Sequence, residues 1–255
     1  MRIAVCQIRA SDDPGKNAIS VKGCLSEKAD MYVFPEMFLT GYTFPGNDKT
    51  NLTSTLEVLR TIAAERDVCI VVGGPEVSDD GVYNSAYVIT DRIQTYRKIH
   101  LPSFPPFSEK ERFVPGKDTF TFDFKGIRFG LCICYDIFFP EQLKACTMDG
   151  STVNIVISAS PVTSKTAFER VFTARALENT SYLVFCNNIG GIGGTEFFGG
   201  SRALSPDGSL LKESYEEGTV VFDYDPDAVE TARRNRPVIG DTVPLRTTVF
   251  GNSLE

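Results

Sequence analysis

Five short apolar runs recur along the chain, each bounded by polar or turn-forming residues. Most are apolar almost throughout rather than at alternate positions, and this is typical of strands that are buried on both faces. Such strands lie inside layered folds in which helices cover the sheets. The runs that predict these strands are 3–8, 31–34, 69–74, 153–158 and 182–187.

Other segments show helical or hairpin patterns. Helices are predicted at 17–28, 52–66, 138–148, 166–179 and 226–234, with Pro140 in a first turn, where proline is favoured. Paired strands around short turns are predicted at 83–97 and 119–132, and two or three strands at 200–224 around the turn 205–208. The segment 101–116 has four prolines and is predicted to be a loop.

Strands and helices alternate in the first part of the chain, and β-rich segments follow. This order favours a layered α/β sandwich over a barrel or a helical bundle. We find no internal repeat, no low-complexity stretch and no linker, so residues 1–255 are predicted to form a single domain.

Composition narrows the function classes. The net charge is -7 and no long run of Lys and Arg occurs, which argues against a nucleic-acid or membrane-surface partner. No apolar run approaches the ~18 residues of a membrane span, and the start of the chain has no secretory pattern. The seven cysteines are an odd number, mostly in apolar runs, and this indicates free thiols in a cytoplasmic protein.

Three chemically capable residues follow the ends of predicted strands: Glu36, Lys98 and Cys134. Ligand chemistry in α/β folds is commonly placed at such strand ends, since the loops there can shape a pocket. Taken singly, each has a plainer interpretation, either as a solvated charge or as a small buried thiol. The chain has one histidine, His100, to which we assign a structural hydrogen-bonding role.

Two other motifs carry little weight. Cys132 and Cys134 are two residues apart, which fits neither the usual zinc spacing nor a redox Cys-x-x-Cys pair. The glycine run 190–194 follows a strand, but no helix and no Gly-Lys-Ser/Thr follow it. Flexible turn glycines are therefore the better interpretation of that run.

Three ordered segments resemble the signature segments of the nitrilase (carbon–nitrogen hydrolase) superfamily. They read PEMFLTGY at 35–42, YRKIHLP at 96–102 and GLCICYDIFFPE at 130–141. The ordered set is far more specific than any one of its members, and the resemblance covers nearly the whole chain. Supporting segments lie at 107–116, 174–179, 187–191 and 199–208.

The resemblance implies a four-layer αββα sandwich that pairs through helices into a homodimer or a higher even oligomer. It implies no metal and no organic cofactor, and a tail at about 235–255 that packs on a neighbouring subunit. Glu36 would be the general base, Lys98 the cationic helper and Cys134 the nucleophile, with Glu109 as a fourth functional carboxylate. The residues implied as substrate contacts are Tyr42, Tyr135 and Phe138.

The chemistry implied is hydrolysis of a small amide through a cysteine thioester. With no histidine assigned to the task, a carboxylate must take the proton of the thiol, and a nearby ammonium would favour the thiolate. The Cys-Tyr-Asp sequence at 134–136 favours an amide over a nitrile substrate. The alternatives are an N-carbamoyl hydrolase or nitrilase of the same superfamily, or a non-catalytic binding or assembly module on this fold.

Overall fold

Fourteen strands and five helices make up the structure, a computed structural model that describes residues 1–42, 50–105 and 107–243. The strands are β1 (Arg2–Gln7), β2 (Met31–Val33), β3 (Cys69–Ser78), β4 (Gly81–Ile89), β5 (Ile93–Arg97), β6 (Phe120–Phe124), β7 (Ile127–Ile133), β8 (Val153–Ser158), β9 (Tyr182–Asn187), β10 (Ile189–Ile192), β11 (Thr195–Phe198), β12 (Ser201–Leu204), β13 (Leu210–Ser214) and β14 (Gly218–Asp223). The helices are α1 (Pro14–Cys24), α2 (Thr53–Arg66), α3 (Pro140–Met148), α4 (Lys165–Asn179) and α5 (Pro226–Asn235).

Two six-stranded sheets form the centre of the molecule. The first has the order β14-β1-β2-β3-β4-β5, and the second has the order β13-β12-β9-β8-β7-β6. The pairs β1–β2 and β2–β3 are parallel in one sheet, as are β7–β8 and β8–β9 in the other. The remaining pairs within both sheets are antiparallel.

Strand alternation explains why the predicted runs are apolar on both faces. In β1, Ile3 and Val5 join the core that contains residues of the second sheet, whereas Ala4 and Cys6 join the core that contains α1 and α2 side chains. On the second sheet, α3 and α4 contribute Leu143, Phe168 and Phe172 to the core with β8 and β9. Helices therefore cover the outer face of each sheet, and the predicted αββα sandwich is confirmed.

Most predicted elements are confirmed, with shifted ends. Helix α1 begins at Pro14 rather than residue 17, because the Asp13 carboxylate caps it by accepting from the N–H groups of Gly15 and Lys16. It ends at Cys24 rather than residue 28. Helix α3 begins at Pro140, since Cys134–Phe138 forms a 3-10 turn before it. The segment 200–224 contains three strands, β12 to β14.

The glycine run 190–194 lies in a hairpin that the sequence did not predict. Strands β10 and β11 pair in a separate two-stranded sheet, with Gly193 and Gly194 at positive φ between them. Both strands have four residues and only weak hydrophobic alternation, which is why the pattern was missed. The assignment of these glycines to a turn is confirmed at Gly193 and Gly194.

The last described helix is α5, and the predicted C-terminal tail lies mostly outside the described residues. Helix α5 ends at Asn235, and the described chain continues to Val243. The predicted packing of residues 235–255 on a neighbouring subunit stays a prediction. Over the described ranges, we find no helix with the length and apolar character needed to span a bilayer.

Candidate active site

Glu36 is held by an unusually close approach of two backbone segments. It follows β2, and its N–H donates to the carbonyl of Ser158 at 3.3 Å, which joins the two sheets at this edge. A Cβ on Gly73 of β3 would lie 2.6 Å from Glu36 Cα and 2.4 Å from the nitrogen of Met37. Only glycine allows this contact, and Met37 itself has a φ of 52°. These backbone contacts thus fix the position of Glu36.

Lys98 lies between two buried carboxylates. It follows β5, and its N–H donates to the carbonyl of Asn84 at 2.9 Å. Its Nζ lies 2.7 Å from Glu36 Oε1 and 2.9 Å from the Glu109 carboxylate. The Lys98 side chain is fully buried, as are those of both carboxylates. An ammonium so placed neutralises charges that would otherwise be costly to bury.

Both carboxylates, Glu36 and Glu109, accept further hydrogen bonds besides those from Lys98. The side-chain amide of Asn84 donates to Glu36 Oε1 at 2.7 Å, and the N–H of Ala159 donates to Glu36 Oε2 at 2.7 Å. The hydroxyl of Tyr42 donates to Glu109 Oε1 at 2.5 Å. Glu109 begins a 3-10 turn, Glu109–Glu111, inside the segment predicted as a loop. Carboxylate acceptors and short distances make these bonds stronger than bonds between neutral groups.

Cys134 lies just past the end of β7 in a left-handed backbone conformation. Its φ is 51°, which is uncommon for a residue with a Cβ and is frequent at functional sites. Asp136 fixes the turn that follows, because its carboxylate accepts from the N–H of Ile133 at 3.0 Å and from the Tyr96 hydroxyl at 2.7 Å. Strand β7 ends before Cys134, so the direction of the Cys134 side chain is set by the turn and not by the alternation of the strand.

Residues 158–160 bridge the thiol and the Glu36 carboxylate. Sγ of Cys134 lies 3.5 Å from the hydroxyl of Ser160, which lies 2.6 Å from the hydroxyl of Ser158. Ala159, between these serines, is the residue whose N–H binds Glu36. The acid, the amine and the thiol from three distant segments therefore meet at one edge of the sandwich.

Burial and charge set the protonation of the site. Burial, with the negative charge of Glu36, raises the pKa of the Cys134 thiol to about 12. Burial alone would lower the pKa of Lys98, but the Glu109 and Glu36 carboxylates outweigh it and raise that pKa well above its usual value. Burial raises the pKa of Glu109 to about 7, although Lys98 opposes the rise. At neutral pH the resting site therefore holds a neutral thiol and a charged ammonium.

The raised pKa of Glu109 predicts a pH-dependent contribution to stability. Between its ordinary pKa of 4.5 and about 7, the unfolded chain has lost this proton while the folded chain keeps it. The contribution of Glu109 is therefore complete below pH 4.5 and is lost as the pH rises through 7. We expect the unfolding free energy of the wild type, relative to Glu109→Gln, to fall between pH 5 and 8 in urea titrations. If the unfolding free energies of the wild type and Glu109→Gln changed in parallel with pH, the prediction would be wrong. The control is Glu111→Gln, since Glu111 is an exposed carboxylate in the same turn.

A cavity of about 340 Å³ opens onto Cys134. Larger clefts, of about 360, 460 and 490 Å³, lie elsewhere on the described surface, and none of them is lined by Cys134, Glu36, Lys98 or Glu109. Five of the eleven described residues that line the Cys134 cavity are aromatic. The described residues that line it are Pro102, Phe104, Phe107, Cys134, Tyr135, Phe138, Ser160, Thr163, Ser164, Ala167 and Phe168.

The predicted substrate contacts are placed differently from one another. Tyr135 and Phe138 line the cavity beside the thiol, and their rings are 5.7 Å apart. Tyr42 is buried behind the Glu109 carboxylate, with its ring edge-on to Phe107 at 6.3 Å. The geometry gives Tyr42 a contact with an acidic side chain rather than with the cavity.

Sequence reasoning missed three groups at this site. The side chain of Asn84 contacts Glu36, and the hydroxyl of Ser160 contacts the Cys134 thiol. Ala159 contacts Glu36 through its backbone N–H. Asn84 offered a signal, since it is an amide within the mostly apolar strand β4. Ser160 and Ala159 offered none, because their roles depend on the approach of two sheets.

His100 and Arg175 support the turn that carries Cys134. The N–H and Nδ1 of His100 each lie 2.9 Å from Asp136 Oδ1, and its ring stacks on Phe139 with the centroids 3.5 Å apart. Nε of Arg175 donates to the carbonyl of Ile137 at 2.6 Å, and the same guanidinium pairs with Glu178 at 2.8 Å. Within the described chain, no group of three or more His, Cys, Asp or Glu side chains is arranged to hold a metal ion.

The site can, in chemical terms, carry out acyl transfer to a thiol. A thiol lines a cavity that could admit a small carbonyl compound, and a buried carboxylate and ammonium are linked to that thiol through residues 158–160. The family model described as "Carbon-nitrogen hydrolase" matches residues 2–234.

Individual relatives agree with the family match. An (R)-stereoselective amidase from Pseudomonas sp. is 33% identical over 94% of this chain and 91% of its own length. A nitrilase from Pyrococcus abyssi is 33% identical over 80% of each chain. The solved structure of a mutant of the Nesterenkonia AN1 amidase, described as from the nitrilase superfamily, superposes with a TM-score of 0.81 at 27% identity, covering 92% of this chain and 95% of that chain. The protein therefore belongs to the carbon–nitrogen hydrolase family of the nitrilase superfamily, and it is a hydrolase that acts on carbon–nitrogen bonds.

Proposed function

We propose that this hydrolase cleaves small amides through a thioester on Cys134, with Glu36 as the general base and Lys98 as the cationic partner. The observation that carries the proposal is the buried ion-paired cluster beside the thiol. Lys98 Nζ lies 2.7 Å from Glu36, and the segment 158–160 links Glu36 to Cys134. Buried charges are costly to maintain, so their convergence next to a nucleophile supports a catalytic role.

The raised pKa of Cys134 determines how the first step must proceed. At a pKa of about 12, only a very small fraction of the thiol is ionised at neutral pH. The proton must therefore leave as sulfur attacks the carbonyl carbon, and Glu36 accepts it. Glu36 suits this task because Lys98, Asn84 and the Ala159 N–H already orient both of its oxygens.

Attack on the amide places negative charge on the carbonyl oxygen. The Lys98 ammonium and the N–H of Tyr135 are the proposed donors to this oxyanion, and each such donor typically contributes a few kcal/mol. The raised pKa of Lys98 keeps it charged throughout the physiological range. Because the cation is fixed by two carboxylates before substrate binds, little reorganisation is needed during the reaction.

Collapse of the tetrahedral intermediate breaks the carbon–nitrogen bond. Glu36 returns its proton to the departing nitrogen, so ammonia or an amine leaves and the acyl group stays on sulfur. Water then attacks the thioester while Glu36, assisted by Glu109, takes a proton from it. The acid product leaves and the thiol regains its proton, which restores the starting state.

The relatives support an amide as the substrate without deciding among related bonds. The Nesterenkonia amidase has also been solved in complex with butyramide, and other relatives of this chain include a nitrilase. Nitriles and N-carbamoyl compounds could be attacked by the same thiol, and a non-catalytic binding module would leave all of them intact. The Cys-Tyr-Asp sequence at 134–136 favours the amide.

An ammonia-release screen over matched amides, N-carbamoyl compounds and nitriles tests this proposal. We expect the wild type to release ammonia fastest from amides, and Cys134→Ala to release none above background. Faster turnover of nitriles or carbamoyl compounds would replace the amidase assignment with one of those activities. No turnover of any class would favour the binding module.

The predicted homodimer also remains a proposal. The family resemblance implies pairing through helices, and helices α3 and α4 cover one outer face of the sandwich.

A further inference from the structure

The cavity beside Cys134 has apolar walls and a wide mouth. Phe138 lies edge-on to Phe168 with the ring centroids 4.9 Å apart, and Phe104 lies edge-on to Phe107 at 5.7 Å and to Tyr135 at 5.4 Å. Phe104 is 42% exposed, so this aromatic wall continues to the surface. Aromatic walls of this kind gain free energy by excluding water from an apolar ligand.

No described residue that lines this cavity carries a positive charge. The cations nearby are engaged elsewhere. Lys98 is held by Glu36 and Glu109, and Arg175 is held by the Ile137 carbonyl and by Glu178. The cluster of Glu36, Lys98 and Glu109 contains two acids and one ammonium, so it offers no unpaired cation to a further carboxylate. A substrate carboxylate entering this cavity would therefore lose water and gain no ionic partner.

Among the described residues, the start of α4 is a feature that could favour an anion here. Ser164 precedes the helix and lines the cavity, and its side chain does not cap the helix. The first N–H of the helix is already engaged, because that of Lys165 donates to the carbonyl of Val162. The first charged side chain of that helix points to other partners, since Lys165 Nζ lies 3.8 Å from Glu169 and 4.2 Å from the centre of the Tyr215 ring. A helix terminus carries about half a charge, which is less than the burial of a full carboxylate requires.

We infer that the cavity binds the acyl group of neutral amides with an aliphatic or aromatic substituent, and that it rejects amides whose acyl group ends in a carboxylate. This inference rests on the proposed amidase function and names its substrate class. Phe138 is the main specificity-determining residue, because it stands between Tyr135 at the thiol and Phe168 in the wall.

A matched pair of substrates tests the inference. Pentanamide and glutaramate (the monoamide of glutaric acid) have the same chain length and differ by a terminal methyl against a carboxylate. We expect the wild type to have a kcat/KM for pentanamide at least about 100-fold above that for glutaramate, since a buried unpaired charge costs several kcal/mol and each 1.4 kcal/mol is tenfold. Equal or reversed values would overturn the inference.

Two variants at one position sharpen the test. Phe138→Arg places a guanidinium in the wall, and we expect it to reduce the preference for pentanamide at least about tenfold by admitting glutaramate. Phe138→Leu keeps the wall apolar and is expected to retain the preference, whatever its effect on the overall rate. If Phe138→Arg folds, by its circular dichroism spectrum, and keeps the wild-type preference, Phe138 is not the determinant.

Failure of the inference and failure of the proposed function give different results. Turnover of glutaramate over pentanamide overturns the substrate class and leaves the amidase function standing. Turnover of neither amide overturns the function, and the substrate class falls with it. Calorimetric titration of Cys134→Ala with both amides gives a readout that needs no turnover, and we expect heat of binding from pentanamide alone.

Discussion

Alanine in place of Cys134 is expected to lower kcat for amide hydrolysis by at least about 10⁴-fold, because removal of the nucleophile from such a cluster costs nearly all of the catalysis it provides. The substitution removes one sulfur from a cavity wall and leaves the cluster of Glu36, Lys98 and Glu109 intact. The fold should therefore survive, and steady-state ammonia release with a thermal melt of the same sample measures both effects.

Cys132→Ala is the matched control for that variant. Cys132 is fully buried two residues earlier in β7, and burial raises the pKa of its thiol well above the usual value. The loss of a small buried group is expected to reduce stability modestly and to leave kcat within about threefold of the wild type. If Cys134→Ala kept more than a tenth of the wild-type rate, the nucleophile would have to be sought elsewhere.

Glutamine in place of Glu36 is expected to lower kcat/KM by about 10³-fold or more. It keeps the shape of the side chain but removes the proposed acceptor of the thiol proton, and no other described carboxylate is bound to the segment that contacts the thiol. Lys98 keeps its second partner, Glu109, at 2.9 Å, so the ammonium is not left unpaired. One hydrogen bond is lost, because a glutamine amide cannot accept at both Asn84 and Ala159.

The control for Glu36→Gln is the same change at the exposed Glu111, which should leave kcat/KM unaltered. Denaturant titration separates catalysis from stability, since the lost hydrogen bond should cost only about 1–3 kcal/mol. A variant that folds and retains a rate within tenfold of the wild type would show that Glu36 is not the base.

The strands could be predicted from the sequence because their burial is continuous. The runs at 153–158 and 182–187 match β8 and β9 to the residue, since both faces of these strands contact apolar layers. Element ends were less accurate where a cap decides them, as with Asp13 at α1. The hairpin β10–β11 was missed because its glycines carry no hydrophobic period.

The site could be predicted only in part. Glu36, Lys98, Glu109 and Cys134 were identified from ordered motifs, and the structure brings all four to one edge of the sandwich. The partners that tune them were not identified, because Asn84 reaches Glu36 from another strand of its sheet. The raised pKa values of Cys134 and Glu109 likewise follow from burial, which motif spacing does not report.

The left-handed backbone conformation of Cys134 also could not be predicted from the sequence. A strand that continued through Cys134 would have placed the thiols of Cys132 and Cys134 on one face. Instead the Asp136 carboxylate accepts from the Ile133 N–H and turns the chain immediately after β7. This turn depends on Tyr96 and His100, which hold Asp136 from a distant segment.

Acylation of a single sulfur is the event on which the whole account depends, and intact-mass spectrometry after an acid quench measures it directly. With the activated ester 4-nitrophenyl pentanoate, the thiol should form the thioester faster than water hydrolyses it, so we expect a burst of nitrophenolate. We also expect the protein to gain the mass of one pentanoyl group, which peptide analysis should place on Cys134. Both signals should vanish in Cys134→Ala and persist in Cys132→Ala. A pentanoyl group on another residue, or a burst that survives in Cys134→Ala, would contradict the thioester mechanism.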